Sequence, residues 1–216
     1  MNLGKYDVFI FDLDGTITDS SEGIFNSIIY ALDKMGIKEV NRKELVPFIG
    51  PPLRDSFKKY FDMNDEDAKR AVSYYREYYS AKGVYELSMY EGVDETLKGL
   101  KSHGKRIMLG TSKPEIYAFG IIDKLGIGQY FDFLAGGDLE GKRDQKEDVL
   151  SYGLEQMGNP ARDKVLMIGD TKFDVIGANK LGIDTLGVSY GFGSMDELKN
   201  AGAKWIVDSP EDIKIR

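Results

Sequence analysis

Two aspartates separated by one residue, Asp12 and Asp14, follow an apolar run of β-branched and aromatic residues, Val8 to Phe11, and precede Gly15 and Thr16. On extended backbone, residues two apart project to the same side. Gly15 permits a sharp turn directly after them. A like-charge pair at the mouth of a buried strand is electrostatically costly, and it makes sense if a cation or a reaction needs it. A solvated strand end with a turn is the plainer alternative. Three more polar groups end apolar runs or open helical ones further along. They are Thr111 and Ser112 followed by Lys113, then Lys146 at the end of GGDLEGKRDQK, then Gly169 and Asp170 with Asp174 one helical turn later.

The elements that must position these groups can be read from periodicity. The run before Asp12 is short, apolar and uninterrupted, as expected of a strand buried on both faces. From Ser20 to about Lys82 the signals are helical. Ser20 or Ser21 can cap a helix whose apolar positions are Ile24, Ile28, Ala31, Leu32 and Met35, closed by Gly36. A short helix is expected over Arg42 to Val46 and another over Leu53 to Phe61, with Pro52 at its start. Asn64 caps a longer one with Ala68, Ala71, Val72, Tyr75, Tyr78 and Tyr79 on its apolar stripe. From Tyr90 onward strands alternate with helices. Strands are expected at RIMLGTS, FDFLAGG, Lys164 to Gly169, Thr185 to Val188 and Lys204 to Val207. The helices between them include one opened by Pro114, one over Lys146 to Met157 and one over Lys172 to Leu181. This alternation implies an α/β fold with crossover connections and a Rossmann-like parallel sheet, helices on both faces. Ligands of such sheets bind beyond the carboxyl ends of the strands, where all the polar groups above would meet. The expected division is a core of residues 1–18 and 88–216 with a helical-bundle cap, residues 19–87, inserted between them.

The hydrophobic fraction of 42% over 216 residues is enough for a real core. The net charge of −7 argues against nucleic-acid polymers and anionic membranes as partners. It does not exclude a small anionic substrate, because a local cluster can outweigh the global sign. Absence of cysteine removes disulfides and thiolate chemistry. With no signal-like segment and no membrane-length apolar run, a cytoplasmic protein, monomeric or weakly dimeric, is expected.

DLDGT, then Thr or Ser, then Lys, then G-D-x-x-x-D, in that order and each at an expected strand end or helix start, resembles the four motifs of the haloacid dehalogenase-like hydrolases. The resemblance spans the whole chain and is closest to the branch of small-capped phosphoglycolate phosphatases and 5′-nucleotidases. It implies a phosphatase that uses Mg²⁺, a cation that takes oxygen ligands and keeps some waters. Asp12, the main-chain oxygen of Asp14, and Asp170 would hold the ion, with Asp174 in support. Asp12 would attack phosphorus to give an aspartyl-phosphate, and Asp14 would act as general acid and then base. Thr111 and Ser112 would bind the phosphoryl oxygens, Lys146 would oppose the charge of the transition state, and Thr16 would orient Asp14. Gly50 and Arg54, in the cap segment FIGPPLRDSF, would approach the substrate. The substrate implied is a small phosphorylated metabolite, nucleoside monophosphate or phosphoglycolate in type.

Several alternatives accompany these roles. Phosphoglycolate-phosphatase relatives often carry Lys-Pro where this chain has Lys146 without proline, and Lys142 or Arg143 could serve instead. Lys146 is preferred because it precedes Val149, Leu150 and Leu154 at a helix start, where its charge and the helix N-terminus would face one phosphate. Thr111 and Ser112 could simply cap the next helix, and Asp170 and Asp174 could be an N-terminal charge pair. Arg54 could be a solvated surface residue. The tyrosine-rich segment Tyr74 to Tyr90 reads mostly as packing, and His103 as a charge near a helix end. A sugar phosphomutase would use the same aspartyl-phosphate but return the phosphoryl group to a sugar. A receiver-type signalling domain would keep it without turnover, but would have no inserted helical segment. A true dehalogenase would lack the second aspartate, Asp14.

Overall fold

A computed structural model describes residues 1–49, 51–139, 143 and 145–215. The expectations for Gly50 and Lys142 fall outside the described residues. The chain divides into two compact units, Met1–Asp19 with Met89–Arg216, and Ser20–Ser88.

The first unit is built on a six-stranded parallel sheet. Its strands are β1 (Val8–Phe11), β4 (Arg106–Pro114), β5 (Phe133–Gly137), β6 (Val165–Gly169), β7 (Asp184–Val188) and β8 (Trp205–Val207), in spatial order β5-β4-β1-β6-β7-β8. β1 is central and all four of its residues are buried. Each such side chain contributes about 1.5–3 kcal/mol of burial. Phe11 lies level with Leu109 of β4 and Ile168 of β6. The residues that follow, Asp12, Gly110 and Gly169, therefore open one end of the sheet together. The chain leaves β1 for β4 on one side and later returns to β6 on the other. The carboxyl end of β1 is thus the switch point where such folds bind ligands. The crossovers are helical: α4 (Val93–Ser102), α5 (Glu115–Leu125), α6 (Lys146–Gln156), α7 (Lys172–Lys180) and α8 (Met195–Ala201). Beneath the switch point Val8, Ile10, Met108, Leu150, Leu154 and Met167 form one apolar cluster.

The second unit packs α1 (Ser21–Lys34) against α3 (Asp65–Ala81), with α2 (Leu53–Phe61) beside α3. Asn64 caps α3 as its position suggests, its side-chain oxygen accepting from the Glu66 and Asp67 amides at 2.9 Å. Tyr75 and Tyr79 are buried with stacked rings 5.3 Å apart, so this part of the tyrosine segment is packing. β2 (Thr18–Asp19) and β3 (Ser88–Met89) form a separate two-stranded pair.

Three local expectations need correction. Ser20 occupies the N-cap position of α1 without a side-chain capping bond. β4 runs past its expected end at Ser112 and through Pro114, which also stands at the N-cap position of α5. That extension is possible because β4 and β5 shift register between Gly110 and Pro114. Lastly, α8 has no counterpart among the expected elements. It is one of the shorter helices, and Leu198 is its one buried residue, too little for a periodic signal. No helix among the described residues is long and apolar enough to cross a membrane.

Candidate active site

Asp12 is the first residue beyond β1, and its amide still donates to the Ile168 carbonyl of β6 at 2.9 Å. The chain then turns back on a single acceptor: the Leu13 carbonyl takes the amides of Thr16, Ile17 and Thr18 at 3.3, 2.9 and 2.9 Å. The turn needs Gly15 for two reasons. Its φ is +83°, and a Cβ there would lie 2.0 Å from Asp170 Oδ2. Leu13 is buried, which leaves the carboxylates on either side of it facing the sheet's open end.

The two carboxylates have different partners. Lys146 Nζ donates to Asp12 Oδ1 at 2.8 Å and to the Gly110 carbonyl at 3.0 Å, and lies 2.9 Å from Asp174 Oδ1. Asp14 is held instead by Lys113, whose Nζ donates to both of its oxygens at 2.7 and 2.6 Å. Lys146 reaches its partners from the first residue of α6, and Gly177 of α7 makes room for it. A Cβ on Gly177 would stand 2.7 Å from Lys146 Cβ. Gly169 does the same for Asp174, since its Cβ would stand 2.3 Å from the carboxyl carbon. Asp174 also closes the start of α7, its Oδ2 accepting from the Thr171 amide and hydroxyl at 3.0 and 2.9 Å. The helix-terminus reading and the cluster reading of Asp174 therefore describe the same side chain.

Asp12, Asp170 and Asp174 are buried and offer carboxylate oxygens within 4.8 Å of one another. Burial pushes the Asp12 carboxyl up to about 6, reinforced by the charges of Asp174 and Asp14 and opposed by Lys146. Asp170 is raised well above the usual carboxylate range, by burial first and then by Asp174 and Asp12. Burial alone would depress the Lys146 ammonium. The Asp12 and Asp174 charges outweigh it and hold Lys146 above the ordinary lysine range. Three clustered carboxylates thus face one ammonium, a deficit of positive charge that an oxygen-liganded divalent cation fits.

Carboxylates held above their ordinary range weaken the fold once they ionise. That cost is absent well below the unfolded carboxylate value of about 4, where these groups are protonated both folded and unfolded; it grows as pH rises from there to the folded values and is complete above them. Metal-free protein is therefore expected to gain thermal stability between pH 7 and pH 5. Asp170→Asn should melt higher than wild type at pH 7, by on the order of 5 °C, and gain less on acidification. Melting curves in chelator check this, and a lower-melting variant would contradict it.

Other expected residues are placed as follows. Thr111 is buried and its hydroxyl accepts the Lys113 amide at 3.2 Å, while Ser112 is exposed. The Thr16 hydroxyl, expected to orient Asp14, donates instead to Asp170 Oδ1 at 3.4 Å. Arg143 is engaged away from the carboxylates: it donates to Glu115 at 2.6 Å and to the Gly136 carbonyl at 2.8 Å, and stacks 3.9 Å over Tyr152. Of the two described cations here, Arg143 and Lys146, it is Lys146 that is joined to Asp12. Arg54 pairs with Asp65 within the helical unit at 3.0 Å. His103 Nδ1 lies 2.8 Å from the Gly99 carbonyl at the end of α4. Sequence reasoning gave Lys113 no role, and it overlooked Phe192, whose amide donates to Asp170 Oδ2 at 2.7 Å. A signal was present for the latter in the glycines of SYGFGS, directly beyond an expected strand.

This sheet with its carboxylate-bearing strand ends defines a class, and comparison names it. The chain belongs to the haloacid dehalogenase-like hydrolase family, whose model matches residues 9–188; it is an enzyme of the phosphatase type. It is similar to a 5′-nucleotidase from Pseudomonas aeruginosa, 38% identical over 195 residues that cover 90% of this chain and 88% of that one. It is also similar to tyrosine-protein kinase PtkA of Mycobacterium tuberculosis, 37% identical over 187 residues that cover 87% of this chain and 63% of that one. Among solved structures, a Clostridium difficile protein assigned to the phosphatases superposes with a TM-score of 0.90 at 45% identity, covering 99% of this chain and 97% of that one.

Proposed function

We propose that this protein is a Mg²⁺-dependent phosphatase of small phosphomonoesters, with nucleoside monophosphates as the favoured substrates and phosphoglycolate-type esters next. The observation that carries the chemistry is the separation of two neighbouring carboxylates. Asp12 is paired with a buried ammonium, and Asp14 with a different one. Two carboxyls can play different roles in one reaction when their surroundings differ.

In this reading Asp12, the main-chain oxygen of Asp14, and Asp170 hold the cation, and Asp174 supports it by fixing Lys146. When bound, the ion neutralises charge on the phosphate and on the carboxylates around it. A carboxylate oxygen of Asp12 attacks phosphorus, the bond from phosphorus to the ester oxygen breaks, and Asp14 gives that oxygen its proton. Water then attacks phosphorus and gives Asp14 a proton, and the bond to Asp12 breaks, releasing phosphate and restoring both residues. Thr111 and Ser112 bind phosphoryl oxygens, and Lys146 opposes the negative charge that develops. The helical unit, with Gly50 and Arg54, acts as a cap that selects the leaving group and excludes water. The name of the Pseudomonas relative is what favours nucleotides.

The decisive measurement is phosphate release from a panel of phosphorylated metabolites, with para-nitrophenyl phosphate as the general substrate. Turnover with nucleoside monophosphates several-fold above the other members is expected. A single phosphorylation without turnover would overthrow the reading. So would isomerised sugar phosphate in place of free phosphate, or transfer to protein tyrosine.

A further inference from the structure

We infer that the loop Tyr190–Gly193, which follows β7, is the positioning element of the cation site, holding the Asp170 carboxylate in one orientation. The inference rests on the metal-dependent reading above. Asp170 is fully buried, and the loop meets it at several points. The Phe192 amide donates to its Oδ2 at 2.7 Å. A Cβ on Gly193 would lie 2.0 Å from the Asp170 carbonyl oxygen. A Cβ on Gly191 would lie 2.3 Å from the Gly15 carbonyl oxygen and 2.4 Å from Asp170 Cβ. Tyr190 anchors the start of the loop, its hydroxyl donating to the Thr16 carbonyl at 3.0 Å.

Neither Gly191 nor Gly193 has the positive φ that favours glycine, so backbone conformation does not demand them. Proximity does. The atoms that a methyl would strike at closest range are backbone, which no rotamer change can move aside. The loop itself would have to retreat and take the Phe192 amide with it. Gly15 completes the enclosure from the β1 side, as its own Cβ would stand 2.0 Å from Asp170 Oδ2. Asp170 thus sits among three glycines, with the Phe192 amide on one oxygen and the Thr16 hydroxyl on the other, and together they set where its oxygens point. Groups that orient a metal-binding carboxylate in this way change affinity by about 10–100-fold when removed.

The test is thermal stabilisation by Mg²⁺, read as melting temperature against ion concentration with no substrate present. Wild type should be stabilised, and Asp170→Asn should not respond. Gly191→Ala and Gly193→Ala should respond only at concentrations raised by about tenfold or more. Gly158→Ala, strained by a φ of +81° but remote from these contacts, should melt lower with an unchanged half-saturation. In wild type, the Phe192 amide resonance should shift as Mg²⁺ is added, a readout that needs no variant to fold. The inference is overturned if both alanine variants saturate at the wild-type concentration, or if the Phe192 resonance does not move. A wild type that shows no response to the ion would instead sink the metal-dependent reading itself.

Discussion

Asp12→Asn is expected to abolish phosphate release, with kcat down by on the order of 10⁴-fold or more, while the protein stays folded. Asparagine keeps the shape of the side chain, and its amide oxygen can still accept from Lys146 Nζ, which stands 2.8 Å from Asp12 Oδ1. What is lost is the anionic oxygen that attacks phosphorus. The substitution also takes one anionic ligand from the cation, so inorganic phosphate should still stabilise the variant against heat, but at Mg²⁺ concentrations above those wild type needs. Asp14→Asn should differ in kind. Its defect should be larger for alkyl phosphates than for para-nitrophenyl phosphate, whose leaving group needs no proton. Steady-state rates on the two ester types separate the roles. Retained turnover in Asp12→Asn would refute the nucleophile assigned.

How far the sequence foretold this site depends on which residue is considered. Asp12, Asp14 and Asp170 lie directly after apolar runs, and the runs gave away both the strands and the end at which they stop. The parallel sheet followed from the alternation of those runs with helices, so the convergence of the polar ends followed too. Lys146 could be preferred over its neighbours because three apolar residues downstream marked a helix start. What the sequence did not reveal are contacts made across the sheet. Thr16 bonds to a residue 154 positions away, and Lys113 meets Asp14 across 99 positions. Neither pairing leaves a local pattern. The loop beyond β7 was harder still, because its contribution is a backbone amide and the absence of two side chains. The extra length of β4 was hidden because proline usually argues against a strand. Here it ends one, at a register shift.

Lys146→Ala should impair the protein twice over, and the two effects can be separated. The ammonium is buried and lies within 3 Å of both Asp12 and Asp174. Deleting it leaves two buried carboxylates without their cation, a change that costs about 3–5 kcal/mol, or on the order of 10 °C in melting temperature for a chain of this length. Catalysis should fall as well, by on the order of 10²–10³-fold, because the positive charge that opposes the transition state is gone. Added Mg²⁺ supplies positive charge beside the same carboxylates. It should therefore raise the melting temperature of the variant more than that of wild type, yet leave most of the catalytic loss in place. A lysine with a purely structural part would behave otherwise, since restoring stability with the ion would restore the rate. Arg143→Ala provides the contrast. Its contacts are Glu115, the Gly136 carbonyl and the Tyr152 ring, so turnover should change by less than about tenfold, and Lys142→Ala should stay near wild type. Equal losses across the three variants, or a greater loss at Lys142 or Arg143, would move the phosphate-facing charge away from Lys146. The loop that ends at Gln145 would then be more than a lead into α6.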